Sequence, residues 1–182
     1  MADVEISQLT AKATPVGSDE IEIQETGGGT SKKATLTNVF GSLGLATAEN
    51  TFTPNLTDGT NSASYDSRTG VYKRVGDICF YSILINLSSL GSVSGNLYID
   101  GLPFQPLQNA SIFCPGMFVG GSGLNITAGH VAQCVTEGDQ TNSRLALLLW
   151  DATTGQTRLQ HSEVSATGTT EWSGWYFMEP GQ

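Results

Sequence analysis

Nucleophilic catalysis needs a serine or cysteine beside a histidine that a third group holds in place. This sequence has two histidines, His130 and His161, and no G-x-S-x-G elbow. The stretch GGSGLN at Gly120 places Ser122 in a turn between strands instead. Neither histidine lies at ligand spacing from another His or Cys, so a zinc site is not expected. Cys79, Cys114 and Cys134 are an odd set at long, irregular spacings and read as buried reduced thiols. The segment EGDQTN, Glu137 to Asn142, carries oxygen ligands suited to calcium but fits a plain turn better, and no metal or other cofactor is expected. A glycosidase would draw two converging carboxylates from Asp66, Asp77, Asp100, Glu137, Asp139, Asp151, Glu163 and Glu171. Their spacing does not say which two converge and no internal repeat is visible, and a non-enzymatic protein is expected. Aromatic side chains offer another chemistry, because Trp and Tyr faces stack on sugar rings. Trp172, Trp175, Tyr176 and Phe177 fall within six residues. Trp175 and Phe177 share a strand parity that reads as core, whereas Trp172 follows the loop-like SATGTT and is the residue singled out for glycan binding.

The elements that must position these residues are short strands. Glycine is abundant (22 residues), charged residues make up 14%, and Thr, Ser and Asn crowd the intervals between apolar runs. Strand candidates are SASYDS, GVYKRVG, DICFYSILINL, GNLYID, SIFCPGMFV, GLNIT, HVAQCVT, SRLALLLWD, TRLQHSEV and GWYFME. The pattern predicts an all-β fold, a β-sandwich or jelly roll, over residues 60–182. Residues 1–43 read as a separate hairpin module: DEIEIQ alternates Ile21 and Ile23 with acidic neighbours, ETGGGTS turns, and KKATL returns. Thr37 is the expected cap of a short helix, NVFGSL. A lone hairpin is marginally stable, so this module is expected to pack on another surface. Residues 44–59 read as a connector that reaches at most roughly 55 Å when fully extended.

Two strands break the alternation of a half-buried sheet. In DICFYSILINL and RLALLLWD both parities are apolar, including Ile83, Leu84, Ile85, Leu147 and Leu148. The expected cover for the second face is a neighbouring subunit; the alternative is the long loop of residues 102–110. Acidic residues outnumber basic ones 17 to 8, for a net charge of −9. Such a chain is not expected to bind nucleic acid or an anionic membrane. The N-terminal stretch MADVEISQLTAK has no basic run followed by an apolar one, and synthesis in a cytoplasm is expected.

TGVYKRVGDICFYSILINL, followed by SGNLYIDGLPF, resembles a C-terminal β-domain of bacteriophage tail fibre and tail spike proteins. The likeness rests on Gly70, Tyr72, Arg74, Gly76 and Asp77, then on Gly101, Leu102, Pro103 and Phe104; the ending SGWYFME is similar to the closing strand of such domains. The opening module is also similar to the one that begins many phage fibre-like proteins, through Ile6, Ser7, Leu9, Gly17, Asp19, Ile21, Gly28, Lys32, Lys33, Thr35 and Leu36. The resemblance implies a homotrimer in the virion, made in a bacterial host; the chain departs from a typical fibre because the short connector leaves no room for a long shaft, and a short tail fibre or appendage that meets a host-surface glycan is expected. It implies attachment to another virion protein through residues 1–43, for which Ile6, Leu9, Ile21, Ile23, Leu36 and Phe40 are the apolar candidates. A trimer that decorates the capsid without a receptor role is the alternative, and a polysaccharide-cleaving tail spike a remote one.

Overall fold

A computed structural model of the chain describes residues 16, 18–23, 32–42, 49–107, 115–139 and 142–181. The chain forms two compact units, Met1–Ala46 and Thr47–Gln182.

In the first unit, β1 (Glu20–Ile23) pairs antiparallel with β2 (Lys32–Thr35), setting Ile21 opposite Ala34 and Ile23 opposite Lys32. Lys33 and Glu20 form an exposed ion pair at 2.8 Å, a contact worth little in open solvent. The helix α1 (Leu36–Ser42) follows β2 without a loop. Its cap is Thr35 rather than the expected Thr37: the Thr35 hydroxyl accepts the Asn38 N–H at 3.2 Å, so the helix starts two residues early. Ile21 and Phe40 are exposed and Leu36 is half-buried, while Ile6 and Leu9 lie outside the described residues.

The second unit is one ten-stranded antiparallel sheet, an all-β fold. Its strands are β3 (Asn50–Phe52), β4 (Asn55–Thr57), β5 (Ser64–Val75), β6 (Ile78–Ser89), β7 (Tyr98–Asp100), β8 (Pro115–Gly120), β9 (Val131–Asp139), β10 (Asn142–Asp151), β11 (Gly155–Arg158) and β12 (Gly168–Phe177). The order across the sheet is β3-β5-β6-β12-β8-β9-β10-β7-β4, with β11 also on β10. SASYDS and GVYKRVG, expected as two strands, are the single strand β5. GLNIT contributes one bridge, Leu124 to Val164, in place of a strand. The β5–β6 hairpin turns through Gly76 and Asp77, where Gly76 takes φ +58, a conformation that glycine adopts without a Cβ penalty.

Residues 50–57 correct the expected connector. β3 pairs with β5 at one end of the sheet and β4 pairs with β7 at the other, with Thr53 and Pro54 between them. One bent segment therefore ties both edges together and the sheet closes on itself, leaving no long edge to pair with a stranger. Pro54, which cannot donate to a ladder, sits at the bend. The Phe52 ring lies against Gly70 so closely that a Cβ there would overlap it. The corner is pinned from β5: the Leu56 N–H donates to the Tyr65 hydroxyl at 2.7 Å, and Tyr65 and Arg68 both donate to Asn55 Oδ1 at 2.7 Å.

Inside the closed sheet, the odd residues of β6 (Cys79, Tyr81, Ile83, Ile85, Leu87) meet Leu145, Leu147 and Leu149 of β10, with Leu56, Leu97, Ile99 and Leu159. Residues 108–110 of the expected cover lie outside the described residues, and the described part of the loop that begins at Leu102 closes on this core. Its Phe104 packs edge-on against Tyr72 at 5.4 Å, and the Phe104 carbonyl accepts the Tyr176 hydroxyl at 3.1 Å.

Candidate functional site

The side chains singled out from sequence divide by face. Ile83, Ile85 and Leu147 belong to the core of a single chain, with Ile83 only 1% exposed, so they cannot form an interface between folded subunits. Leu148 points the other way and is also buried, but its cover comes from its own chain. On that outer face, Tyr98 stands beside Ala146, and Arg158 beside Leu148. Arg144 stacks on the Tyr98 ring at 4.0 Å and Arg158 at 5.6 Å. Glu137 joins the two guanidiniums by accepting from Arg144 Nη2 at 2.9 Å and from Arg158. Long cationic side chains thus lie over two apolar ones, which removes the need for a subunit there. Leu84 is the exception in the set: at 38% exposed, it remains uncovered.

Trp172 is corrected from a loop residue to a core residue. It lies in β12 opposite Ile83, is 1% exposed, and packs edge-on against Phe118 at 5.3 Å, so no sugar can reach its face. The assignment of Trp175 to the core is reversed as well. β12 turns Trp172, Gly174 and Tyr176 inward, since these face Ile83, Tyr81 and Cys79 of β6. Gly174 hides this parity in the sequence, because the Tyr81 hydroxyl fills the place where its side chain would be, 2.6 Å from where a Cβ would stand. Gly116 does the same from β8, letting the Tyr81 hydroxyl approach Cys134 Sγ at 3.3 Å.

The outer face of β6, β12 and β8 is open and carries large apolar side chains beside Ser82, Ser173 and Glu171. Phe80 stands opposite Trp175, and Ser82 opposite Ser173, which in turn faces Met117. Met117 and Val119 are 66% and 63% exposed. These side chains wall a groove of about 550 Å³ floored by Ser173 and Gly174. On the far side of Phe80 a second depression of about 240 Å³ runs to Val71, Lys73 and Glu49. Two strands further on, Val131 and Trp150 form an exposed pair across β9 and β10. The doubly apolar patterns of DICFYSILINL and RLALLLWD already marked Phe80, Leu84 and Trp150; Met117, Val119 and Val131 were not singled out, and Trp175 was expected in the core.

Several of the remaining reactive groups hold structure. Burial pushes the Cys134 thiol up to about 12 and raises that of Cys79, so both stay protonated; both are free thiols, as expected, and Cys114 lies outside the described residues. The Asn61 N–H, with that residue's side-chain amide and the N–H groups of Ser94 and Thr60, holds the Asp58 carboxyl well below the usual carboxylate range. This ties the loop after β4 to the one before β7. The Thr154 hydroxyl and the N–H groups of Thr154 and Thr153 draw Asp151 down to about 2, and His130 Nε2 lies 3.5 Å from it. His161 Nδ1 accepts the Gly95 N–H at 3.2 Å. Burial raises Asp100, with Arg144 opposing. Arg144 sits between Asp100 and Glu137 in the sheet, so these carboxylates flank a cation instead of an open cleft. Glu137, the first residue of EGDQTN, is likewise committed to Arg144 and Arg158.

No family model matches the chain, and no curated protein does. Among solved structures its fold is similar to that of the Dettilon tailspike protein (gp208), at a TM-score of 0.62 and 22% identity over 72% of this chain. The match takes in 24% of that protein, so this chain spans about a quarter of the tailspike's length, and at this identity the likeness is one of fold.

Proposed function

We propose that this chain is a structural protein of a bacteriophage tail, a short trimeric fibre or appendage that works by multivalent, non-covalent attachment to a host-surface glycan and not by turnover. The observation that carries the reading is the likeness of the fold to part of a tailspike protein. The engagement of Asp58, Asp151 and Glu137 in turns and ion pairs supports a role without catalysis. In this reading the first unit docks on another virion protein, with Ile21 and Phe40 as exposed apolar contacts. Electron microscopy of virions labelled through a tag on this chain tests it. Label on the tail is the expected result; label on the head, as a capsid decoration would give, or no label on particles would overturn it.

A further inference from the structure

Residues 50–57 close the sheet, and β3 is also the first strand of the second unit that a pull on the first unit reaches along the chain. We infer that this segment is a load-bearing clasp, which resists tension along the strands and yields to tension across them. Register sets the directions. β3 begins opposite Tyr72 and ends opposite Gly70, so its first residue lies toward the β5–β6 turn. β12 ends at the same turn, with Phe177 opposite Ile78, so the chain enters and leaves the sheet at one end. Ladder bonds run perpendicular to the strands. A load between the N-terminus and the opposite end of the sheet, where β6 stops at Ser89, therefore lies along β3 and strains its bonds together. Every pairing on the path from β3 to β4 is antiparallel and the number of steps is even, so β4 runs in the same sense. The pull passes through Thr53 and Pro54 into a second strand loaded the same way. A load between the two termini acts instead across β5 and β6, and opens the β3 ladder one bond at a time.

Side chains add a stop in the first direction. The Phe52 ring fills the space over Gly70, and Tyr72, two residues nearer the turn, stands edge-on to it at 6.2 Å. Tyr72 is backed by Phe104 at 5.4 Å, and Phe104 is fixed in turn because its carbonyl accepts the Tyr176 hydroxyl at 3.1 Å. Sliding β3 toward the turn drives the Phe52 ring into this wall, and close-packed aromatic rings do not give way smoothly. The Thr53 carbonyl lies against Gly101, where a Cβ would stand 2.6 Å from it. Past the bend, Tyr65 and Arg68 hold Asn55, so the second half of the segment is anchored separately. Lifting β3 outward meets no such wall: Asn50 and Thr51 are exposed, and only the ladder and the burial of Phe52 resist.

Single-molecule force spectroscopy of the full chain tests this, with one handle at the N-terminus and the other at Ser92, in the exposed loop after β6, or at the C-terminus. Releasing the second unit should take about twice the force or more in the Ser92 geometry, where the ladder bonds are strained together. Tyr72→Ala removes the wall, and should bring the ratio of the two forces toward one. Trp150→Ala, an exposed side chain away from the segment, should leave the ratio as it is in the wild type. Equal forces in the two wild-type geometries would overturn the inference, as would a Tyr72→Ala protein that keeps the full ratio. If Tyr72→Ala does not fold, Tyr72→Leu takes its place and should lower the ratio; an unchanged ratio would count against the clasp. The inference goes beyond the tail reading and does not rest on it, since the forces belong to the fold: label on the head would sink the tail reading and leave them unchanged.

Discussion

Trp172 and Trp175 are three residues apart, on one strand, and have opposite fates. Trp172 fills the core against Phe118, whereas Trp175 lies on the outer face, 37% exposed, with Phe177 edge-on at 5.4 Å. Trp172→Ala should cost about 3 to 5 kcal/mol in urea unfolding, the range for emptying a large aromatic site. Trp175→Ala should cost less than about 1 kcal/mol, because its ring leaves no cavity. Comparable losses in the two variants would mean that the strand's facing is misassigned. The reason this facing is illegible in the sequence is Gly174. A glycine at an inward position normally weakens a reading of core, but here it is required because Tyr81 reaches across from β6 to occupy its volume.

The doubly apolar strands look alike in sequence and differ in their surroundings. In β10 the second face is roofed by Tyr98, Arg144 and Arg158, residues from three strands brought together by the sheet's order. In β6 the corresponding positions hold Phe80 and Leu84 beside Trp175 and Glu171, and both side chains remain partly exposed. Ile83→Asp should abolish folding, since it puts an unpaired charge into the core at a cost of several kcal/mol. Leu84→Asp should leave a folded chain with native-like circular dichroism. A folded Ile83→Asp protein would show that the odd parity of β6 is not the core face. The sequence pattern identified both strands as unusual and located their core-facing residues; which neighbour covers each second face depends on contacts between residues far apart in the chain.

For the molecule as a whole, the closing segment at residues 50–57 matters most. Its residues, NTFTPNLT, show no periodicity because Phe52 and Leu56 serve opposite ends of the sheet and Pro54 interrupts them. A chain that starts at Thr47 should fold with the cooperative melting of the full second unit. One that starts at Thr60 loses β3 and β4, and should be destabilised by about 4 kcal/mol or more as Phe52 and Leu56 leave the core. Equal thermal stability of the two would show that sheet closure contributes little. The sequence by itself determined the all-β class, most strand positions, the hairpin with its following helix, the buried thiols and the acidic surface, because these follow from local periodicity, turn residues and composition. Only the tertiary structure decided that the expected connector closes the sheet, that Trp172 is interior, and that the open apolar face belongs to Phe80, Met117, Val119 and Trp175. Those outcomes rest on strand register and on the curl of the sheet, which place residues from distant parts of the chain on one face and leave no trace in the spacing along it.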